Sequence, residues 1–343
     1  MRRFNCICGG EIFLENRVCV HCQRLVAYSP ERGTMVALQI LSDDHWQLPG
    51  SGELVKPCGY RKQYNVCNAV LNAADNHELC LSCRLNRTIP DLSKKDNLTH
   101  WNKLEEAKRR LLFGLLTLGL PLEAPVGGYP RGLCFDFLED KRSNPDVADE
   151  FIATGHQNGV ITINVIEADD VQRIWQREQS SERYRTLLGH MRHEVGHYYD
   201  ELLVNDLTAF TALFGDPRQP YSAALQQYHA EGPLPGWELS HISAYASSHP
   251  SEDWAECFAH YLHIIDTLET AVQRGVIDTF DSNDINSLIN VWDSFSVTLN
   301  ELNRSIGLAD AYPFVVTPAV ADKLRFVHQA RMQAYAKPNL STG

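Results

Sequence analysis

Residues 193–197 read His193-Glu194-Val195-Gly196-His197, inside a stretch whose apolar side chains Tyr184, Leu187, Leu188, Met191, Val195, Tyr198, Leu202 and Leu203 recur at helical spacing. That periodicity predicts a helix over 183–204, with Ser180 or Ser181 as its N-cap and Glu182 in the first turn. A four-residue step brings two imidazoles to one face, about 5–6 Å apart at Cβ, the gap that two ligands of one cation require. Glu194 is turned about 100° away, so its carboxylate stands beside such a cation rather than on it, where it can take a proton from water. A zinc ion that keeps an open position usually takes a third protein ligand. A second helix offers one: Pro250 and Ser251 open it, Trp254, Phe258, Tyr261, Leu262 and Ile265 form its stripe, and Gly275 stops it. Glu252 and Glu256 share a face at its start. Glu252 is read as the ligand and Glu256 as the carboxylate that fixes a ligand imidazole's tautomer, with Asp253 and His260 as weaker candidates. His190 and Asp200 are read as ordinary hydrogen-bonded or solvated groups, and most of the nearby His241, His249, His260 and His263 need no role.

Upstream, eight of the ten cysteines fall in the first 83 residues. At CxC and CxxC spacing, in a chain with no evident export signal, they read as metal ligands, because a tight turn aims two thiolates at one ion. Cys6, Cys8, Cys19 and Cys22 make one four-thiolate zinc site, with Gly9-Gly10 freeing the turn, and Cys58, Cys67, Cys80 and Cys83 make a second. His21 and His77 lie beside them as bystanders. Sites of this kind supply folding energy to segments too small for a core, so the region is expected to be a structural module. A polar stretch from Thr88 to His100 sets the boundary, giving a zinc-ribbon region over 1–90 and a second domain over 91–343. Charge changes there too, from 12 basic and 10 acidic groups in residues 1–100 to 19 and 33 in the rest. Trp101, Leu104, Ala107, Leu111, Leu112 and Leu115 predict a helix ended by Gly119 and Pro121. Strands are expected over Gly132 to Leu138 and Val160 to Ile166, the latter alternating Ile161, Ile163 and Val165 against Thr162 and Asn164. From Ser181 onward the pattern is mostly helical, with Pro- and Gly-rich loops at 215–220 and 232–236. The fold class is α+β.

The 343 residues carry 31 basic against 43 acidic groups, a net charge of −12, the wrong sign for gripping a phosphate backbone over the whole surface. Nucleic acid is at most a local partner. The longest apolar run, Leu111 to Leu122, falls short of the roughly 20 residues that span a bilayer, so no membrane partner is expected. Arg2 and Arg3 are followed by cysteines rather than an apolar stretch, and the expected location is the cytoplasm.

The HExxH helix followed by a distant Glu-x-x-x-Glu helix resembles the gluzincin metallopeptidases, which hold zinc with two His and one Glu. The metzincin continuation is excluded, since Asp200 and Leu203 stand where its glycine and histidine would. The runs CRLNRTIPDL at 83–92, GHMRHEVGHYYD at 189–200 and SSHPSEDWAECFAHYLHIIDTLETA at 247–271 are similar to the bacterial family of zinc-binding metallopeptidases with an N-terminal zinc ribbon. That likeness covers nearly the whole chain. It implies a mainly helical, zincin-like metallopeptidase domain with a small sheet behind the ribbon module. Tyr245 resembles the tyrosine that anthrax-lethal-factor-like peptidases place over the metal to steady the oxyanion. The reaction implied is hydrolysis of a peptide or protein by one catalytic zinc on His193, His197 and Glu252, with two structural zinc ions in the ribbon. Such a centre carries a net charge near +1 and lowers its water towards pKa about 7; Glu194 takes that proton and passes it to the leaving amine, and Tyr245 donates to the oxyanion. The strand at 160–166 is expected at the cleft edge, where an extended substrate pairs with it. Between His197 and Glu252 the 55-residue separation exceeds the thermolysin-like pattern and leaves room for a lid or specificity insert. The competing reading is a non-catalytic zinc-binding regulator or adaptor that grips protein or nucleic acid through Arg61, Lys62, Arg84 and Arg87. Glu194 argues against it, because a structural site has no use for a carboxylate beside the metal.

Overall fold

Short hairpins and cysteine turns begin the chain, and they bury small apolar clusters, one of Phe4, Ile12, Leu14, Val26 and Met35 with Phe113 and another of Leu38, Trp46, Leu48, Val55 and Val70. The computed structural model describes residues 2–122, 132–179 and 186–336. Strands β1 (Phe4–Asn5) and β2 (Glu11–Ile12) pair antiparallel, as do β3 (Val26–Ser29) and β4 (Thr34–Ala37). An antiparallel sheet follows in the order β5 (Gln39–Ile40), β6 (Trp46–Gln47), β7 (Leu54–Pro57), β8 (Val70–Asn72). Cys58 and Cys80 occupy the N-caps of two short helices, α1 (Gly59–Tyr64) and α2 (Leu81–Arg84).

Helix α3 (Asn97–Thr117) buries all six apolar residues that the periodicity marked, and Gly119 at φ +69 closes it. Its Trp101 meets Tyr60 and Tyr64 edge-on, its Phe113 meets Phe4 and Tyr28, and its Arg109 donates 2.7 Å to the Val66 carbonyl. Contacts of this kind carry the first compact unit past the residue 90/91 line, through Met1–Gly114, Glu123–Gly155 and Gly159–Asp169; the second comprises Leu115–Leu122, His156–Asn158 and Asp170–Gly343.

Strands β9 (Asn86–Thr88), β10 (Cys134–Leu138), β11 (Gly155–Gln157) and β12 (Val160–Asn164) form a sheet in the order β11-β12-β10-β9, with β10 parallel to both its neighbours. The strand expected over 160–166 stops at Asn164, because that side chain accepts the Ile166 amide and residues Val165–Ala168 wind into a 3-10 turn. It also corrects the expected cleft edge: β12 is flanked on both sides, and the edges of this sheet are β11 and β9.

The second unit is built from α4 (Asp170–Gln179), α5 (Leu187–Leu203), α6 (Leu207–Phe214), α7 (Tyr221–Glu231), α8 (Pro250–Gln273), α9 (Ile285–Ser305) and α10 (Pro318–Ala336). Helix α5 begins four residues later than predicted: Thr186 caps it, its hydroxyl accepting the Gly189 amide at 2.9 Å. The caps expected at Ser180 or Ser181, with Glu182, lie outside the described residues. Helix α8 has the predicted bounds, with Pro at its first position, His249 as N-cap and Gly275 at φ +67 beyond its end. Helices α5 and α8 approach unusually closely at Gly196, where a Cβ would lie 2.9 Å from the Ala255 Cα and 3.0 Å from its carbonyl oxygen. The Trp254 indole donates 2.9 Å to the Gly196 carbonyl, and Tyr199 stacks on Phe258 at 5.1 Å, locking the pair in register. Among the described residues no helix is long and apolar enough to cross a membrane.

Candidate metal centres

The register of α5 on α8 brings His193, His197 and Glu252 together. The Nε2 atoms of His193 and His197 are 3.2 Å apart, and Glu252 Oε2 lies 3.0 Å from the first and 3.5 Å from the second. Glu256 Oε1 sits 2.6 Å from His193 Nδ1, which places that ring's proton on Nδ1 and leaves Nε2 a lone pair. Ser243 donates 2.5 Å to the other Glu256 oxygen. Glu252 is buried, and its Oε2 accepts no hydrogen bond. Two imidazole nitrogens and a carboxylate oxygen therefore converge on one point, a donor set that suits a bound cation. A tetrahedral zinc with bonds of about 2.0–2.1 Å spaces its ligands about 3.3 Å apart, so the fit is good.

Electrostatics show a spot that favours positive charge. Burial opposes charge on His193, yet Glu252 and Glu256 hold its pKa well above the ordinary imidazole value. Burial likewise raises Glu252, but His197 and His193 outweigh it and hold the carboxyl well below its usual range. Glu194 is buried on α5; despite desolvation, His190 at 3.4 Å and the histidines at 193 and 197 keep its carboxyl below the ordinary value. Tyr245 opens a 3-10 turn before α8, its ring 5.8 Å from that of His193, and burial with the surrounding carboxylates raises its hydroxyl pKa so that it remains a donor.

Other side chains near the pair have different work. Asp253 is buried against Lys323 of α10, 2.5 Å away, with Cys257 and His241 beside it, and does not face the ligand cluster. His260 is bonded to the Tyr312 hydroxyl at 2.7 Å, His263 to Arg192 at 2.7 Å, and His249 accepts the Ser251 amide as cap. Asp200 is pushed up to about 6 by burial. Two residues carried no signal in the sequence. Tyr221 at the start of α7 donates 2.5 Å to Glu252 Oε1, and His156 lies parallel to His197 with ring centroids 6.5 Å apart. Neither sits in a motif or at a fixed spacing from one.

In the first unit both cysteine sets gather as their spacing predicts. Within each, the ligand atoms lie inside 4.8 Å of one another. Sulfur pairs Cys6–Cys22 and Cys8–Cys19 are 3.7 Å apart and Cys67–Cys80 3.8 Å, against about 3.8 Å for thiolates on a tetrahedral zinc. The amides of Gly10, Ala69 and Cys80 point at Cys8, Cys67 and Cys58. At Gly10 a Cβ would meet His21 Cβ at 2.7 Å, so the knuckle requires glycine. The Cys22 amide and that of His21 pull the Cys19 thiol down to about 7. His21 lies 3.6 Å from Cys8, and His77 pairs with Asp75 instead. The first cluster exposes Cys8 and Cys22; the second is wholly buried. The two four-cysteine clusters and the His/His/Glu group thus suggest zinc sites. Of the four basic residues expected to make a surface beside the second cluster, Lys62, Arg84 and Arg87 are exposed and Arg61 is not. Arg61 is buried, donating to the Val26 and Asn68 carbonyls, while Lys62 pairs with Asp44 and Arg87 with Asp136.

Residues 97–330 match the family model described as "Putative zinc-binding metallo-peptidase", and residues 3–94 match a zinc-ribbon domain. Relatives from Mycobacterium bovis and two strains of Mycobacterium tuberculosis, described as uncharacterized proteins, are 40% identical over 341 residues, covering 96% of this chain and 94% of theirs. No solved structure matches the chain.

Proposed function

The chain belongs to the "Putative zinc-binding metallo-peptidase" family, and from that premise we propose that it hydrolyses peptide bonds in a peptide or protein substrate. The observation that carries the reading is the convergence of His193 Nε2, His197 Nε2 and Glu252 Oε2 beside a buried, ionised Glu194. When bound there, zinc supplies Lewis acidity that brings water towards pKa about 7. Glu194 accepts a proton from the attacking water and returns it to the leaving amine. Tyr245 keeps its hydroxyl proton and donates to the oxygen on which charge develops. Glu256, braced by Ser243, holds the His193 ring in the tautomer that presents Nε2. Zinc in the two thiolate clusters is structural, because four cysteines leave no open position.

The test is cleavage of a broad peptide library by the full chain loaded with zinc. The wild type should cut and bind about three zinc ions; Glu194→Gln should keep all three and lose activity by at least about 100-fold. His193→Ala should keep about two. Cleavage surviving in Glu194→Gln would remove the general base, and with it the mechanism.

A further inference from the structure

Tyr221 begins α7 and is 31 positions before Glu252, yet its hydroxyl donates 2.5 Å to Glu252 Oε1 while Oε2 faces the two imidazoles. The two oxygens of one carboxylate are thus divided between a phenol and the ligand cluster. The placement of the phenol is supported on several sides. Its ring meets His249 edge-on at 5.1 Å, and His249 both caps α8 through Nδ1 and bonds the Gln219 carbonyl through Nε2 at 3.2 Å. The chain at 219–221 is therefore clipped to the same first turn of α8 that carries Glu252. One helical stretch further, Tyr228 of α7 meets Tyr245 edge-on at 5.8 Å, so α7 flanks the tyrosine over the site from a second position. No side chain of α7 is fully buried, so packing into a core does not account for Tyr221.

Resting on the zinc reading above, we propose that Tyr221 is a positioning residue: by occupying Glu252 Oε1 it restricts the carboxylate to a single ligand oxygen and preserves an open position for water. A carboxylate can bind zinc through one oxygen or both, and a second oxygen would fill the place the substrate or water needs. A donor on the outer oxygen also fixes the orientation of the inner one, as outer partners of ligands do.

The experiment uses the full chain with zinc in the thiolate clusters and cobalt(II) in the His/His/Glu site, comparing wild type with Tyr221→Phe. The change removes one oxygen from a side chain 44% exposed, so the melting temperature measured without metal in the His/His/Glu site should hold. With the phenol gone, the cobalt visible bands should weaken as the coordination number rises, affinity should fall about 10-fold or more, and kcat should fall with little change in KM. Unchanged bands and affinity in Tyr221→Phe, in a wild type that does fill this third site, would overturn the proposal alone. A wild type that binds no third metal would overturn the zinc reading and this inference with it.

Discussion

Replacing Gly196 by alanine tests whether the α5–α8 approach holds the ligands. The added Cβ would sit 2.9 Å from Ala255 Cα and 3.0 Å from its carbonyl, whereas ordinary contact begins at 3.4 Å. The obstacle is backbone, so the helices must part by about half an ångström; metal–ligand distances are tolerated within about ±0.2 Å. Alanine improves helix propensity by about 1 kcal/mol, while overpacking costs about 1–3 kcal/mol, leaving a net loss of about 1 kcal/mol and a fall of about 2–4 °C in Tm. The larger effect should be on the site, because His193 and His197 move with α5 while Glu252 stays with α8. Zinc affinity there should drop at least about 10-fold, with the thiolate clusters unaffected. Chelator competition in parallel with thermal melting measures both. A Gly196→Ala protein that held its third zinc as tightly as the wild type and melted no earlier would refute the claim that this contact sets the ligand geometry.

Glu256→Gln should weaken the same site by about 10–100-fold, read by the same competition, since it removes the charge that orients His193 through Nδ1. Stability should fall as the solution is acidified from pH 6.5 towards 4: burial lowers His260 from 6.5 to about 4, so the unfolded chain takes a proton there that the folded one refuses. The loss from this group is at most about 3 kcal/mol, and His260→Gln, which can keep a bond to Tyr312, should flatten the denaturant-midpoint slope by about one proton; an unaltered slope would clear His260. Under mild chelation, Cys8 and Cys22 should be alkylated before any of Cys58, Cys67, Cys80 and Cys83, because the first cluster is half exposed and the second buried; mass spectrometry showing the reverse order would sink this.

Much of this architecture was legible because its signals are local. Eight clustered cysteines, six of them in CxC or CxxC pairs, and an HExxH on an apolar stripe carry their meaning in spacing, and Glu252 stood out as acid in the first turn of an otherwise apolar helix. What escaped depends on distant partners. Tyr221 reaches Glu252 from 31 positions away, and nothing about a tyrosine after Pro220 announces it. Strand β12 read as an edge because alternation reveals faces but not neighbours; the three-residue β11 that covers it is too short to show a period. Arg61 read as surface because arginine is rarely buried, yet two carbonyls and the Trp46 ring accept it inside. The cap of α5 is Thr186, which the sequence reading did not single out, because several small hydroxyls precede the stripe and spacing alone does not choose among them.

The packing of α3 bears on anyone who would trim this protein. A chain begun at residue 97 would keep the match to the peptidase family but strip the partners from Trp101, Arg109 and Phe113, all of which rest on Tyr60, Tyr64, Val66, Phe4 and Tyr28. Its opening helix would enter water greasy side out. If the two thiolate clusters take up zinc as they fold, a shortage of the metal would expose the same helix without any scissors.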